Sequence, residues 1–294
     1  MDYKEILKNL KKEKDYFIGV DSDGCVFPTM ELKHKECFIP NIIKYYNLQS
    51  ISSYAREVAE WVNLYSIYRG TNRFIALVKT IELLSKRKEV LESGVNLPNI
   101  EPLKKFIESG YPLSNSGLKE FMKENSSSEL ELALQWSEAV NKTVADMVHG
   151  VKPFPFARKS LEKMSNKADI LVVSATPLEA LEKEWREHNI EKFVKVIAGQ
   201  EMGSKKEHLE ISAKGKYDNG KILMIGDAPG DHKSAKAVGA LFFPINPGSE
   251  NKSWENFYNE GLDRFLNGTF DGEYQERLLE DFYKLLPEIP YWEK

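Results

Sequence analysis

Asp21-Ser22-Asp23-Gly24 follows a short apolar run, Tyr16 to Val20. Two carboxylates two residues apart on a turn can divide the work of a reaction: one attacks an electrophile while the other carries a proton to or from the reacting oxygen. Acids at such a place also cap a following helix or solvate a turn, so the pair takes its meaning from its companions. A second acidic set, Gly226-Asp227-Ala228-Pro229-Gly230-Asp231, follows the apolar run from Lys221 to Ile225. Brought beside Asp21, its carboxylates would make an all-oxygen site suited to a hard cation, and Mg2+ is the expected metal. Asp231 equally suits a helix N-cap. Ser174 closes the run Asp169 to Val173 and can offer a hydroxyl to a phosphate oxygen, while Lys205 or Lys206 can bring a positive charge to the same group. Taken singly, that serine is an ordinary turn residue and those lysines are an ordinary solvated pair.

The elements that must position these residues are legible from periodicity. Apolar runs at 16–20, 169–173, 195–199, 221–225 and 240–243 read as five buried strands. Amphipathic stretches at 178–188, 204–214 and 230–238 alternate with them, which predicts an α/β fold: a doubly wound, Rossmann-like parallel sheet covered on both faces. Ligands of such sheets lie beyond the carboxyl ends of the strands, where Asp21, Ser174 and Asp227 stand. Residues 2 to about 13 predict a leading helix. From about 29 to 150 the period is helical throughout, with Tyr54, Val58, Trp61, Val62 and Tyr65, then Phe74, Leu77, Val78, Ile81 and Leu84. Further helices are predicted near 101–109, 115–124 and 128–148, the last opened by a Ser128–Glu131 capping box. After Pro247-Gly248 the aromatic tail, including Trp254, Phe257, Tyr258, Phe265, Phe282 and Tyr283, predicts helices packed on the core. The expected division is therefore a core of 1–28 and 150–294, carrying a C-terminal helical extension, with an all-α domain at 29–149.

Composition narrows the function classes. A length of 294 residues suits a core with one sizeable insertion. The 41 basic and 45 acidic residues are intermixed and sum to −4, so no basic stripe offers itself to a nucleic acid. The two cysteines, Cys25 and Cys37, fit neither a disulfide framework nor a zinc site. No apolar run is long enough for a secretory signal or a membrane span, which sets the expectation of a cytoplasmic protein with no membrane partner.

Taken in order, the Asp-x-Asp strand end, the serine strand end, the lysine and the Gly-Asp-x-x-x-Asp turn resemble the haloacid dehalogenase superfamily, whose phosphatases carry these four motifs. The resemblance covers about 14–28 and 150–247. It implies that Asp21 is the nucleophile and Asp23 the general acid and base, with the main-chain carbonyl of Asp23 also directed to magnesium. Asp227 would be the second carboxylate ligand, with Asp231 supporting the metal site through a ligand or a water. Ser174 would bind the phosphoryl group and Lys205, with Lys206 in reserve, would balance charge. Superfamily members that cleave carbon–halogen bonds look different at the position of Asp23, so phosphate ester cleavage is favoured, with a small phosphorylated metabolite as substrate. One departure is Cys25, where the family usually has Thr or Val. A cysteine-phosphatase role for Cys25 would want an arginine six residues on, and position 31 is Glu; Cys25 reads as a packing residue.

The insertion between the first and second motifs resembles the family's helical cap, which would close over the site and contact substrate. Within it Arg69 and Arg73 can grip an anion, or form ion pairs beside a helix junction at Gly70. Two rivals share the core: a phosphonate hydrolase or phosphoryl mutase, the former marked by a cap lysine such as Lys79 or Lys86, and a non-hydrolytic phosphoacceptor regulator. Asp23 argues against the first, and an Asp-x-Asp that comes early with a large insertion behind it argues against the second. Neither the substrate's identity nor the oligomeric state is written in a readable motif.

Overall fold

The computed structural model describes residues 3–293. Among them five strands form one parallel sheet in the order β3-β2-β1-β4-β5: β1 (Tyr16–Val20), β2 (Ala168–Val173), β3 (Val196–Ala198), β4 (Ile222–Gly226) and β5 (Leu241–Pro244). The register sets Val20 beside Val172 of β2 and Ile225 of β4. The doubly wound α/β class expected from the strand–helix alternation is the fold observed.

Side chains of a strand alternate between faces, and here each face has its own core. Ile18, Val20, Ile170, Val172, Leu223, Ile225 and Phe243 pack with Leu161, Trp185, Trp254, Phe257 and Phe265 on one side. Phe17, Leu171, Val173, Ile222, Met224 and Phe242 pack with Leu7, Leu209, Val238 and Phe282 on the other. Burial of both faces explains why the strands read as unbroken apolar runs rather than alternating ones.

The chain forms two compact units. One runs up to Met30 and resumes from Gly150 to Leu286; the other comprises Glu31–His149 and the residues from Pro287 on. The second unit is helical. Its core holds Val58, Trp61 and Val62 of helix Ser52–Leu64, Phe74, Leu77 and Ile81 of helix Arg73–Leu84, and Trp136 of helix Ser128–Met147. No helix among the described residues is long and apolar enough to cross a membrane.

Three expectations are corrected. The whole tail was expected on the sheet core, and helix Glu273–Lys284 does pack there through Phe282. The residues from Pro287 on group instead with the helical unit. There the Trp292 ring meets Trp61 at 5.7 Å, and the Arg87 guanidinium lies over the rings of Tyr54 and Trp292 at 4.7 and 5.0 Å while pairing with Glu57 at 2.6 Å. The cap of helix Ser128–Met147 is Ser127, whose hydroxyl accepts from Leu130 N–H, so the Ser128–Glu131 box does not form. The leading helix stops at Lys8, short of 13. Past it the backbone is claimed by other partners: Lys216 Nζ donates to the carbonyls of Leu7, Lys8 and Leu10, and the N–H groups of Glu13 and Lys14 donate to Asp169 at 2.8 and 3.0 Å.

Asp169 thereby ties the chain leading into β1 to the start of β2. Its Oδ2 also accepts from the Tyr217 hydroxyl at 2.7 Å, and its Oδ1 pairs with Lys195 at 3.1 Å. Burial alone would raise this carboxyl, but the donors around it outweigh burial and hold it below the usual range. A depressed carboxyl stabilises the fold above its unfolded pKa, and that contribution is lost as pH falls through the folded one. Asp169→Asn is therefore expected to cost about 1–3 kcal/mol at neutral pH. In urea titrations the gap from wild type should narrow as pH drops below roughly 4; a gap that is constant with pH contradicts this account.

Candidate active site

The carboxyl ends of β1 and β4 bring three acids together. Asp21 directly follows β1, and its N–H donates to the carbonyl of Ile225 on β4 at 2.9 Å. Asp227 directly follows β4, and Asp231 lies in the first turn of helix Pro229–Val238. All three are buried, and one carboxylate oxygen from each lies within 4.8 Å of the others. Asp231 Oδ2 accepts the N–H groups of Asp227 and Ala228 at 3.2 and 3.1 Å, which closes the helix N-terminus, while its Oδ1 takes Lys205 Nζ at 2.6 Å. The cap and cluster roles considered for Asp231 are thus divided between its two oxygens. Gly226 permits this: a Cβ there would run into the Asp231 carboxylate.

Lys205 Nζ also reaches Asp21 Oδ2 at 2.8 Å, whereas Lys206 is exposed. The choice between them follows from helix geometry. Ser204 and Glu207 form a capping box that starts the helix at Lys205. That helix packs Leu209 onto Gly19 of β1, where a Cβ would lie 2.9 Å from the Leu209 side chain. The glycine lets the lysine helix sit close enough to the strand for Lys205 to reach the acid at its end.

Burial pushes the Asp21 carboxyl well above the usual range; Lys205 opposes the rise, and Asp231 and Asp227 add to it. Burial would likewise lower the Lys205 ammonium, but Asp21 and Asp231 outweigh it and hold the group above its ordinary value. His208, one turn further along the helix, is driven down to about 4 by burial and by Lys205, so it adds no charge at neutral pH.

The turn after Asp21 is held from several sides. Val26 and Phe27 N–H groups both donate to the Ser22 carbonyl, and Gly24 takes the left-handed φ of 76° that the turn requires. Trp185 Nε1 donates to Ser22 Oγ at 3.0 Å and Trp254 Nε1 to the Cys25 carbonyl at 2.7 Å. Cys25 is fully buried, and burial and then Asp21 push its thiol up, away from the thiolate a nucleophile would need. Two threonine hydroxyls donate to the Asp23 carboxylate, Thr29 to Oδ1 and Thr176 to Oδ2, the latter at 2.7 Å. Neither threonine stands out in the sequence; the one available signal is that Thr176 follows Ser174 by two residues. Ser174 itself is buried just past β2, donates its N–H to the Ala198 carbonyl and accepts Thr176 N–H at Oγ.

Arg69 and Arg73 belong to the helical unit and bond within it. Arg69 is buried and donates to the Leu64 carbonyl at 2.9 Å. Arg73 donates to Ser137 and Asn141 and lies over the Phe38 ring. Burial draws the Arg73 guanidinium down to about 10.

The three clustered acids fit a divalent cation. They are hard oxygen donors, they are buried, and Lys205 pairs with two of them. In chelator, Asp21→Asn is expected to stabilise the protein by roughly 1 kcal/mol, about 2–4 °C in melting temperature, because it removes a buried like charge while Lys205 keeps Asp231. Added magnesium should then raise the wild-type melting temperature more than the variant's. A variant that melts lower than wild type in chelator would show that the acids do not repel as described.

Comparison with known proteins gives the family. The model for haloacid dehalogenase-like hydrolases matches residues 76–245, more than half of the chain, a span that includes Ser174, Lys205, Asp227 and Asp231 and begins after Asp21 and Asp23. A Bacteroides vulgatus protein provisionally named a beta-phosphoglucomutase is 13% identical, with a TM-score of 0.50 over 90% of this chain and 97% of its own. A haloacid dehalogenase-like family hydrolase from Xanthomonas campestris is 9% identical, with a TM-score of 0.47 over the same shares, 90% and 97%. A search of curated proteins gives no significant match. At these identities the first structural likeness speaks for the fold alone, and the family rests on the model match. The chain belongs to the haloacid dehalogenase-like hydrolases.

Proposed function

We propose that this hydrolase is a magnesium-dependent phosphatase that cleaves a small-molecule phosphate monoester through an aspartyl-phosphate on Asp21. The observation that carries the reading is the buried Asp21 carboxylate, paired with Lys205 and clustered with Asp227 and Asp231 at the strand ends. A carboxylate so placed is a nucleophile set among groups that manage phosphoryl charge.

In the first step an oxygen of Asp21 attacks phosphorus, the bond from phosphorus to the ester oxygen breaks, and Asp23 gives its proton to the departing oxygen. Lys205 and the Ser174 hydroxyl neutralise charge on the transferring oxygens. In the second, Asp23 takes a proton from water, the resulting hydroxide attacks phosphorus, and the Asp21 carboxylate leaves as phosphate is released. A cation held by Asp21, Asp227, Asp231 and the main-chain carbonyl of Asp23 supplies charge neutralisation for the phosphoryl group. The helical unit, inserted after the first motif, serves as the cap that selects the substrate.

The test is hydrolysis of para-nitrophenyl phosphate with magnesium and with chelator. Turnover should require the metal, fall by roughly three orders of magnitude or more in Asp21→Asn, and stay within about threefold of wild type in Cys25→Ser. In Asp23→Asn the second step fails for want of a base, so acid-quenched, base-labile phosphoprotein should accumulate. Turnover that survives in Asp21→Asn, or that ignores chelator, defeats the proposal. A long-lived phosphoprotein in the wild type would instead favour a phosphoacceptor role.

A further inference from the structure

We propose that Thr176 is a positioning residue for Asp23, its hydroxyl aiming the carboxyl that moves the proton; this rests on the reading of Asp23 given above. Each oxygen of Asp23 accepts one threonine hydroxyl, and the two donors differ in kind. Thr29 is a neighbour in sequence, buried at the start of the short helix that follows the turn. Thr176 comes from the loop after β2, and its backbone is fixed by contacts in which Asp23 takes no part.

That loop is stitched to the end of β3. Ser174 N–H donates to the Ala198 carbonyl at 3.1 Å, Gln200 N–H donates to the Thr176 carbonyl at 3.1 Å, and Leu178 N–H donates to the Glu201 carboxylate at 2.9 Å. Within the loop, Thr176 N–H donates to Ser174 Oγ at 3.2 Å. Gly199 has no side chain to hold the segments apart, since a Cβ there would lie 2.7 Å from Leu178 N and 2.9 Å from the Thr176 carbonyl oxygen. The Thr176 hydroxyl is therefore a donor on a rigid mount, directed at a carboxylate on a different strand end. An aspartate on a turn has two side-chain torsions to lose, and transfer of a proton in the transition state demands that they be set beforehand. One loop thus carries both a hydroxyl for the phosphoryl group, on Ser174, and the hydroxyl that orients the acid.

The experiment compares kcat/KM for para-nitrophenyl, phenyl and benzyl phosphate, whose leaving groups rise in basicity and so in need of a proton. Wild type, Asp23→Asn, Thr176→Val and Thr176→Ser are measured with magnesium. Valine keeps the shape of this half-buried side chain and removes the hydroxyl; serine restores the hydroxyl. Thr176→Val should lower kcat/KM for benzyl phosphate by about 10- to 100-fold and for para-nitrophenyl phosphate by less than about threefold, with Thr176→Ser within about threefold of wild type on both. An equal loss along the series, an effect on KM alone, or no loss at all overturns the proposal. If Asp23→Asn discriminates steeply between leaving groups and Thr176→Val does not, the proposal falls and the role of Asp23 stands. If Asp23→Asn is itself indifferent to the leaving group, both fall.

Discussion

Three buried carboxylates meet, with Lys205 paired to two of them, and much of the core is arranged around that crowding. Like charges are crowded where water is largely excluded, and charges interact more strongly there than in solvent. The crowding makes the site receptive to a cation and, together with the larger effect of burial, raises the Asp21 carboxyl. It also makes Lys205 indispensable to the fold as found, since removing one partner of a buried pair leaves the other uncompensated. Stability is given up at this point so that charge can later be met by something other than protein.

The parallel sheet makes such crowding attainable. Adjacent strands carry their ends in register, so Asp21 and Asp227 leave the sheet side by side, and helix Pro229–Val238 begins at the same edge, where Asp231 closes its N-terminus. Two glycines take up the remaining slack. Gly19 lets the lysine helix approach β1, and Gly226 lets Asp231 fold back over the end of β4. At Gly226 any side chain would meet the Asp231 carboxylate and displace it from the cluster, so that glycine is as much part of the electrostatics as the acids.

The strands were legible because burial on both faces writes a continuous apolar run, and the acids and Ser174 were legible because they stand where those runs stop. The choice of Lys205 over Lys206 was also decidable from the sequence, through the Ser204 and Glu207 box that fixes where the helix begins. What could not be read depends on contacts between distant segments. Thr176 acquires its aim from hydrogen bonds between the β2 loop and the end of β3, and hydroxyl residues are too common in turns for spacing alone to single one out. The leading helix looked longer because its apolar spacing continues, but Asp169 and Lys216 take the backbone groups that a longer helix would use. The partners of Arg69 and Arg73 within the helical unit, Leu64, Ser137 and Asn141, were equally hidden from spacing.

The placement of Trp292 matters for how the molecule is made. The helical unit borrows its last aromatic cover from residues past Pro287, which leave the ribosome after every strand and every helix of the sheet unit. The sheet unit in turn lacks four of its five strands until the whole insertion has been synthesised. Neither unit is complete while the other is still being translated, so the usual order of N-terminal domain first is not open to this chain. Residues 31 to 149 must wait for residues 287 to 293 before Trp61 and Arg87 meet Trp292, and a nascent chain that stalls before them would carry a finished sheet unit and an unfinished helical one.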